Sequence, residues 1–165
     1  MNTIDRAKRA LWKKSGLSHD YRGYLSRPGD NLVSSVSPDL VKADYDNGSG
    51  KEWLFKFRAI HSSAALAANT FGRWKTEPFR LTFSGSAGFA PPKLEAQCPT
   101  GLRGIPPNLD VLLESPEVVF GIESKLLEPL KPTNPAFSIS YSKNRLPLCE
   151  DGWWQLLERV RQSPA

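Results

Sequence analysis

Two carboxylates and an amine stand close together in this chain, at Asp110, Glu123 and Lys125. A carboxylate pair can hold a hard cation through oxygen, and a lysine beside it can orient or deprotonate a water. The same residues at strand ends also form ordinary surface ion pairs. Which of the two applies depends on the elements that carry them.

Pro107 to Leu113 and Val118 to Lys125 are short apolar runs joined by Glu114-Ser115-Pro116-Glu117, a pattern that predicts a β-hairpin. Strand side chains alternate with a period of two, so Glu123 and Lys125 point to one side and Ser124 to the other. With Asp110 entering its strand on that side, the two carboxylates and the amine converge at one end of the hairpin. Lys93 to Gln97 is a third strand candidate, with Leu94 and Ala96 on one face and Glu95 on the other, where it can join the acidic cluster. The run carrying Glu123 is apolar enough to be a central strand. Three clustered carboxylates repel one another without a cation, and Lys125 offsets only part of that.

Asp110, a spacer of about a dozen residues and then Glu123-x-Lys125 at the end of an apolar strand resembles the PD-(D/E)XK nuclease superfamily, which includes many restriction endonucleases. With His61 to Asn69, Leu94 to Gln97, Pro107 to Asp110 and Glu123 to Pro129, the chain looks like a bacterial restriction-endonuclease-like family within it, over roughly residues 60 to 160. The resemblance implies an α/β fold, a central mixed β-sheet flanked by helices, with a nuclease-like core over 51–165 preceded by an N-terminal helix and irregular segment over 1–50. It also implies metal-dependent hydrolysis of DNA phosphodiester bonds. Asp110, Glu123 and the Ser124 backbone carbonyl would hold Mg²⁺ or Mn²⁺, with Glu95 as an auxiliary ligand. Lys125 would position the attacking water and stabilise charge developing on phosphorus. The superfamily core runs helix, three strands, helix, strand, and the fourth strand is not visible before Ala165. Either the chain is a truncated product or its sheet is completed differently. The alternative function is therefore an inactive nuclease-like module that binds DNA or a protein partner without cutting.

The 165 residues suit one domain with a real core, and the formal net charge of +5 favours a polyanionic partner such as DNA. Arg103, Lys131, Lys143 and Arg145 are the candidate contacts to nucleic acid, the last three in a segment interleaved with Phe137 and Tyr141. Cys98 and Cys149 lack metal-site spacing, and no apolar stretch near the start reads as a signal peptide or membrane span, so a cytoplasmic protein is expected. Neither a phosphate loop, a GxSxG elbow, HExxH nor CxxC occurs.

Elsewhere the pattern predicts a helix from a Thr3 cap to about Lys14 and an irregular segment from about Ser15 to Gly50. Further on, Glu52 to Ile60 reads as strand or helix, with helix favoured, followed by a helix from a Ser62 or Ser63 cap through Trp74, a strand over Phe79 to Phe83 and a last helix from Asp151 to about Arg161. His61 reads as a cap or surface residue, and Tyr21, Arg22 and Tyr24 as exposed candidates for base stacking.

Overall fold

The computed structural model describes residues 1–48, 52–99, 106–131 and 151–162. The chain divides into two compact units, Met1–Glu128 and Pro129–Ala165. The first 48 residues thus belong to the same unit as the strands.

Helix α1 spans Thr3–Ser15 and is capped by Asn2, whose Oδ1 accepts from the Asp5 N–H at 2.8 Å. The cap is one residue earlier than expected, because the Asn2 side chain reaches the third amide of the helix. Gly16 ends α1 at φ +64°, where a side chain would be strained. Ile4, Ala7, Leu11 and Trp12 give α1 its half-covered stripe, whereas Ala10 is exposed.

Helix α2, Pro38–Asn47, lies in the segment expected to be irregular. Ser37 caps it and Pro38 fills its first turn, where a missing N–H costs nothing. Val41 and Tyr45, four residues apart, are its buried contacts. That cap, proline and spacing were the readable signal, hidden by the polar residues around them.

Helix α3, Ser63–Phe71, starts from Ser62, whose Oγ accepts from the Ala65 N–H at 3.2 Å, and continues as a 3-10 turn over Gly72–Lys75. Its alanines let it sit close on other elements: Ala64, Ala65, Ala67 and Ala68 are all buried. Gly72 permits a similar approach, since a Cβ there would stand 2.8 Å from Val36 Cγ1.

Strands β1 (Lys93–Gln97), β2 (Asn108–Glu114) and β3 (Val119–Ile122) form a sheet in that order, both pairs antiparallel. The protein is therefore mixed α/β, but the described sheet is small and antiparallel rather than mixed, because neighbours in the sheet are also neighbours in the chain. Among the described residues the central strand is β2, which carries Asp110, and β3 lies at an edge of the sheet with Val119 exposed, whereas its apolar run suggested a central strand. The Ser115 turn closes the β2–β3 hairpin through Ser115 N–H to Val118 O at 2.9 Å. Helix α2 packs on β1 and α3 on β2. Leu94, Val111 and Leu113 meet the α3 alanines and a cluster of Tyr45, Trp53 and Phe57 rings.

Two expected elements take other forms. Residues 52–58 make a wide turn, with Phe57 N–H to Glu52 O at 2.9 Å, and a 3-10 turn over Lys56–Arg58. Burying Trp53 and Phe57 while Leu54 and Phe55 stay exposed is achieved without a full helix. The expected strand at 79–83 begins as a 3-10 turn, Pro78–Arg80, which the fixed φ of Pro78 favours. Phe83 pairs only with Ser86 across a tight turn.

In the second unit, helix α4 covers Asp151–Gln162, with Trp154 partly covered and Val160 exposed. Among the described residues, no helix is long and apolar enough to cross a membrane.

Candidate functional site

The strand register sets three carboxylates in a row across the sheet. Leu94 faces Val111 and Ala96 faces Leu109, which places Glu95 across from Asp110. Val111 faces Ile122, so Glu123, one step past the end of β3, continues the row on the other side of Asp110. Adjacent strands lie about 4.8 Å apart, so the two outer positions of such a row are about 10 Å apart at the backbone. Among the described residues, no three His, Cys, Asp or Glu side chains form a ready cage for a metal ion.

Asp110 fixes the chain beyond β3. Its Oδ2 accepts the Ser124 N–H at 2.6 Å, replacing a backbone acceptor, and so the ladder stops at Ile122. The Ser124 hydroxyl donates to Ser63 O on α3 at 2.9 Å, while Lys125 Nζ donates to Glu123 Oε2 at 3.1 Å. Ser124 thus ties the chain beyond β3 to the start of α3. Burial raises the Asp110 carboxyl above its ordinary value; the Ser124 amide opposes this, and the Glu123 charge adds to it. The Lys125 amine is held above its ordinary value, first by the hydrogen bond to Glu123 and then, against some desolvation, by the charges of Glu123 and Asp110. It therefore stays protonated and acts as a cation and donor.

Glu95 is more covered than a polar strand residue usually is. Leu94, Glu95 and Ala96 are all buried, and Glu95 has φ +49°, a left-handed conformation costing a non-glycine residue about 1–2 kcal/mol. Asn108 Nδ2 donates to Glu95 Oε2 at 3.0 Å. Burial pushes the Glu95 carboxyl upward; the Asn108 bond opposes, and the charges of Glu52, Asp110 and Glu123 reinforce the rise. Gly48, just past α2, makes room for it, because a Cβ there would stand 3.1 Å from Glu95 Cβ.

Glu95, Asp110 and Lys125 all line an open cleft of about 460 Å³, whose rim includes the start of α3. Sequence reasoning missed Glu52, Lys56 and Glu128 on its walls. Lys56 Nζ bonds Glu52 Oε1 at 2.6 Å, a pairing signalled by their spacing of four. Partial burial pulls Glu128 upward, but amides at Leu126 and Leu127 and the Ser63 hydroxyl donate to its carboxylate and hold it below its ordinary value. Nothing in the sequence separates Glu128 from an ordinary loop acid.

His61 also faces the cleft. The Trp12 Nε1–H donates to its Nδ1 at 3.3 Å, which leaves the ring proton on Nε2. Burial and then the Lys8 charge lower its pKa, so the ring is neutral at pH 7. Tyr24 enters the cleft because residues 23–25 pair with 58–60, through Leu25 N–H to Arg58 O and Ile60 N–H to Gly23 O. Tyr21 is 88% exposed.

Of the residues expected to contact nucleic acid, Arg103, Lys143 and Arg145 lie outside the described residues, and Lys131 is exposed in the second unit. Cys98 is a free, partly covered thiol and Cys149 lies outside the described residues. No protein-family model, curated protein or solved structure matches the chain.

Proposed function

We propose that the protein is a metal-dependent nuclease of the PD-(D/E)XK type, with a restriction-endonuclease-like core that hydrolyses DNA phosphodiester bonds. One observation carries the reading. Asp110 on β2 and Lys125 past β3 line one cleft, and Glu123, beside it, is the bonding partner of Lys125 and a charge felt by Asp110.

The donor set suits a hard cation by its chemistry. Mg²⁺ binds through one or two carboxylates and keeps water and substrate phosphate as its other ligands, so a three-acid cage is not required. Asp110 and Glu123, with the Ser124 carbonyl, would hold it, and Glu95 is the auxiliary acid. Bound there, the ion would supply Lewis-acid polarisation of the phosphate and a more acidic water. Lys125, protonated, would orient that water by donating to it and would offset negative charge as it builds on the phosphate oxygens. Asp110 and Glu95, both raised by burial, are poorly satisfied as charged groups without a cation, which favours metal entry.

Incubation of the purified chain with plasmid, with and without Mg²⁺, tests the reading. Nicking or linearisation only with the ion is expected. A salt-sensitive gel shift with no cutting under either condition would instead favour a module that binds DNA without cleaving it.

A further inference from the structure

A second groove opens beside the cleft, about 290 Å³ in volume and lined by Asp20, Arg22, Tyr24, Phe55, Lys56 and Arg58. Tyr24 and Lys56 line both, so the groove and the cleft share a wall. Its aromatic content is unusual for a surface: the Phe55 ring is 60% exposed, and the Arg22 guanidinium sits over the Tyr24 ring, 5.2 Å from its centroid. The one acid is engaged by backbone, with Asp20 Oδ1 accepting the N–H groups of Arg22 and Tyr24 at 2.8 and 2.9 Å. Arg58 is held in place by Nε–H to Leu25 O at 2.7 Å. Among the described residues, neither Arg22 nor Arg58 is in an ion pair. The groove therefore combines an exposed Phe55 ring and an Arg22–Tyr24 stack with the fixed positive charge of Arg58, and it borders the carboxylates.

An apolar ring left in water beside arginines has a natural complement in a flat, π-faced, anionic monomer. Stacking on an aromatic face requires a base whose own faces are uncovered, which a paired base inside a duplex does not offer. We propose that this groove seats the base and phosphate of an unpaired DNA nucleotide next to the linkage held in the cleft, so that single-stranded segments are preferred to intact duplex. The inference rests on the nuclease reading for its placement, and it names the substrate class.

The test is fluorescence anisotropy of the full chain with labelled single-stranded and blunt duplex oligonucleotides of one length, without divalent ions so that no cutting intervenes. Tighter binding of the single strand is expected. Phe55→Ala should weaken single-strand binding roughly tenfold to a hundredfold and leave duplex binding little changed. Arg22→Ala should lower the single-strand salt slope by about 0.7. Phe79→Ala, an exposed ring that lines neither cavity, is the control and should behave as wild type. Equal affinity for both oligonucleotides, no single-strand binding, or an unchanged Phe55→Ala variant would overturn the proposal. Cleavage of plasmid is scored separately. If the chain never cuts but keeps a Phe55-dependent single-strand preference, the groove stands and the nuclease reading fails. If it cuts while Phe55→Ala binds as wild type, the reverse holds.

Discussion

The two ends of the three-stranded sheet treat charge in opposite ways. At the hairpin-turn end, Lys93 Nζ meets Glu114 Oε2 at 2.6 Å, and both side chains are well exposed. Water screens that pair, and it adds little to stability. At the other end, Glu95, Asp110 and Glu123 stand in a row, two of them raised by burial and by one another's charge. Of these three, Glu123 is the one in an ion pair among the described residues, with Lys125, so the tension beside the cleft rests on Glu95 and Asp110. Such tension lowers stability, and perturbed carboxylates of this kind are found more often at functional sites than elsewhere.

The largest effect expected from breaking this contrast is on cleavage. Asp110→Ala and Glu123→Ala should each abolish it and weaken Mg²⁺ binding in calorimetry, with the fold retained. Lys125→Ala should keep the metal and lose turnover by on the order of 10²–10³, because its part is played in the transition state. Lys93→Ala and Glu114→Ala, at the far end, should cut at the wild-type rate.

Next in size is the effect of another ion pair that sharpens the comparison. Asp44 Oδ2 takes Lys75 Nζ at 2.6 Å and the Leu94 N–H at 2.8 Å, and Lys75 also donates to Pro92 O at 2.9 Å. This pair is mostly covered and ties α2 to β1. Lys75→Ala leaves the Asp44 charge without its partner and should cost about 3 kcal/mol in urea unfolding.

Glu95→Gln should go the other way and stabilise by roughly 1 kcal/mol, because it removes a buried charge that its neighbours repel. The pH dependence has a defined sign. Burial raises Glu95 above 4.5 and Asp110 above 3.8, so the folded state holds these protons to higher pH than the unfolded chain. Their repulsion is absent below the ordinary carboxylate range and destabilises as pH rises through the raised folded values. Urea midpoints across that range should fall with rising pH from this source, and Glu95→Gln should reduce the fall. The smallest effect is that of Lys93→Ala on stability, within about 0.5 kcal/mol.

What the sequence made legible was local. The β2–β3 hairpin and α3 follow from short apolar runs between turn and cap residues. The contact of Glu123 with Lys125 accords with the two-residue period. That Asp110 would stop the ladder by taking the Ser124 amide does not follow from any period, since it depends on the register. The place of Glu95 beside Asp110 accords with the two-residue period, whereas its burial and its positive φ do not follow from any period. Glu52, Lys56 and Glu128 reach the cleft from turns, where side-chain direction is set by distant contacts. The strand expected at 79–83 shows the converse, a β-like composition overridden by one proline.

The hydrogen bonds that frame the cleft join residues far apart in the chain: Trp12 to His61 across 49 residues, Asp44 to Leu94 across 50 and Ser63 to Ser124 across 61. Each closes a long loop whose entropy is lost before the contact can repay it, and contacts of this kind slow folding. Helix α1, the β2–β3 hairpin and α3 can form early from nearby residues, but none of them contains the cleft. Its walls meet only when those long loops have closed, so ligand binding there should appear in refolding kinetics as the slowest phase, after helical signal has recovered.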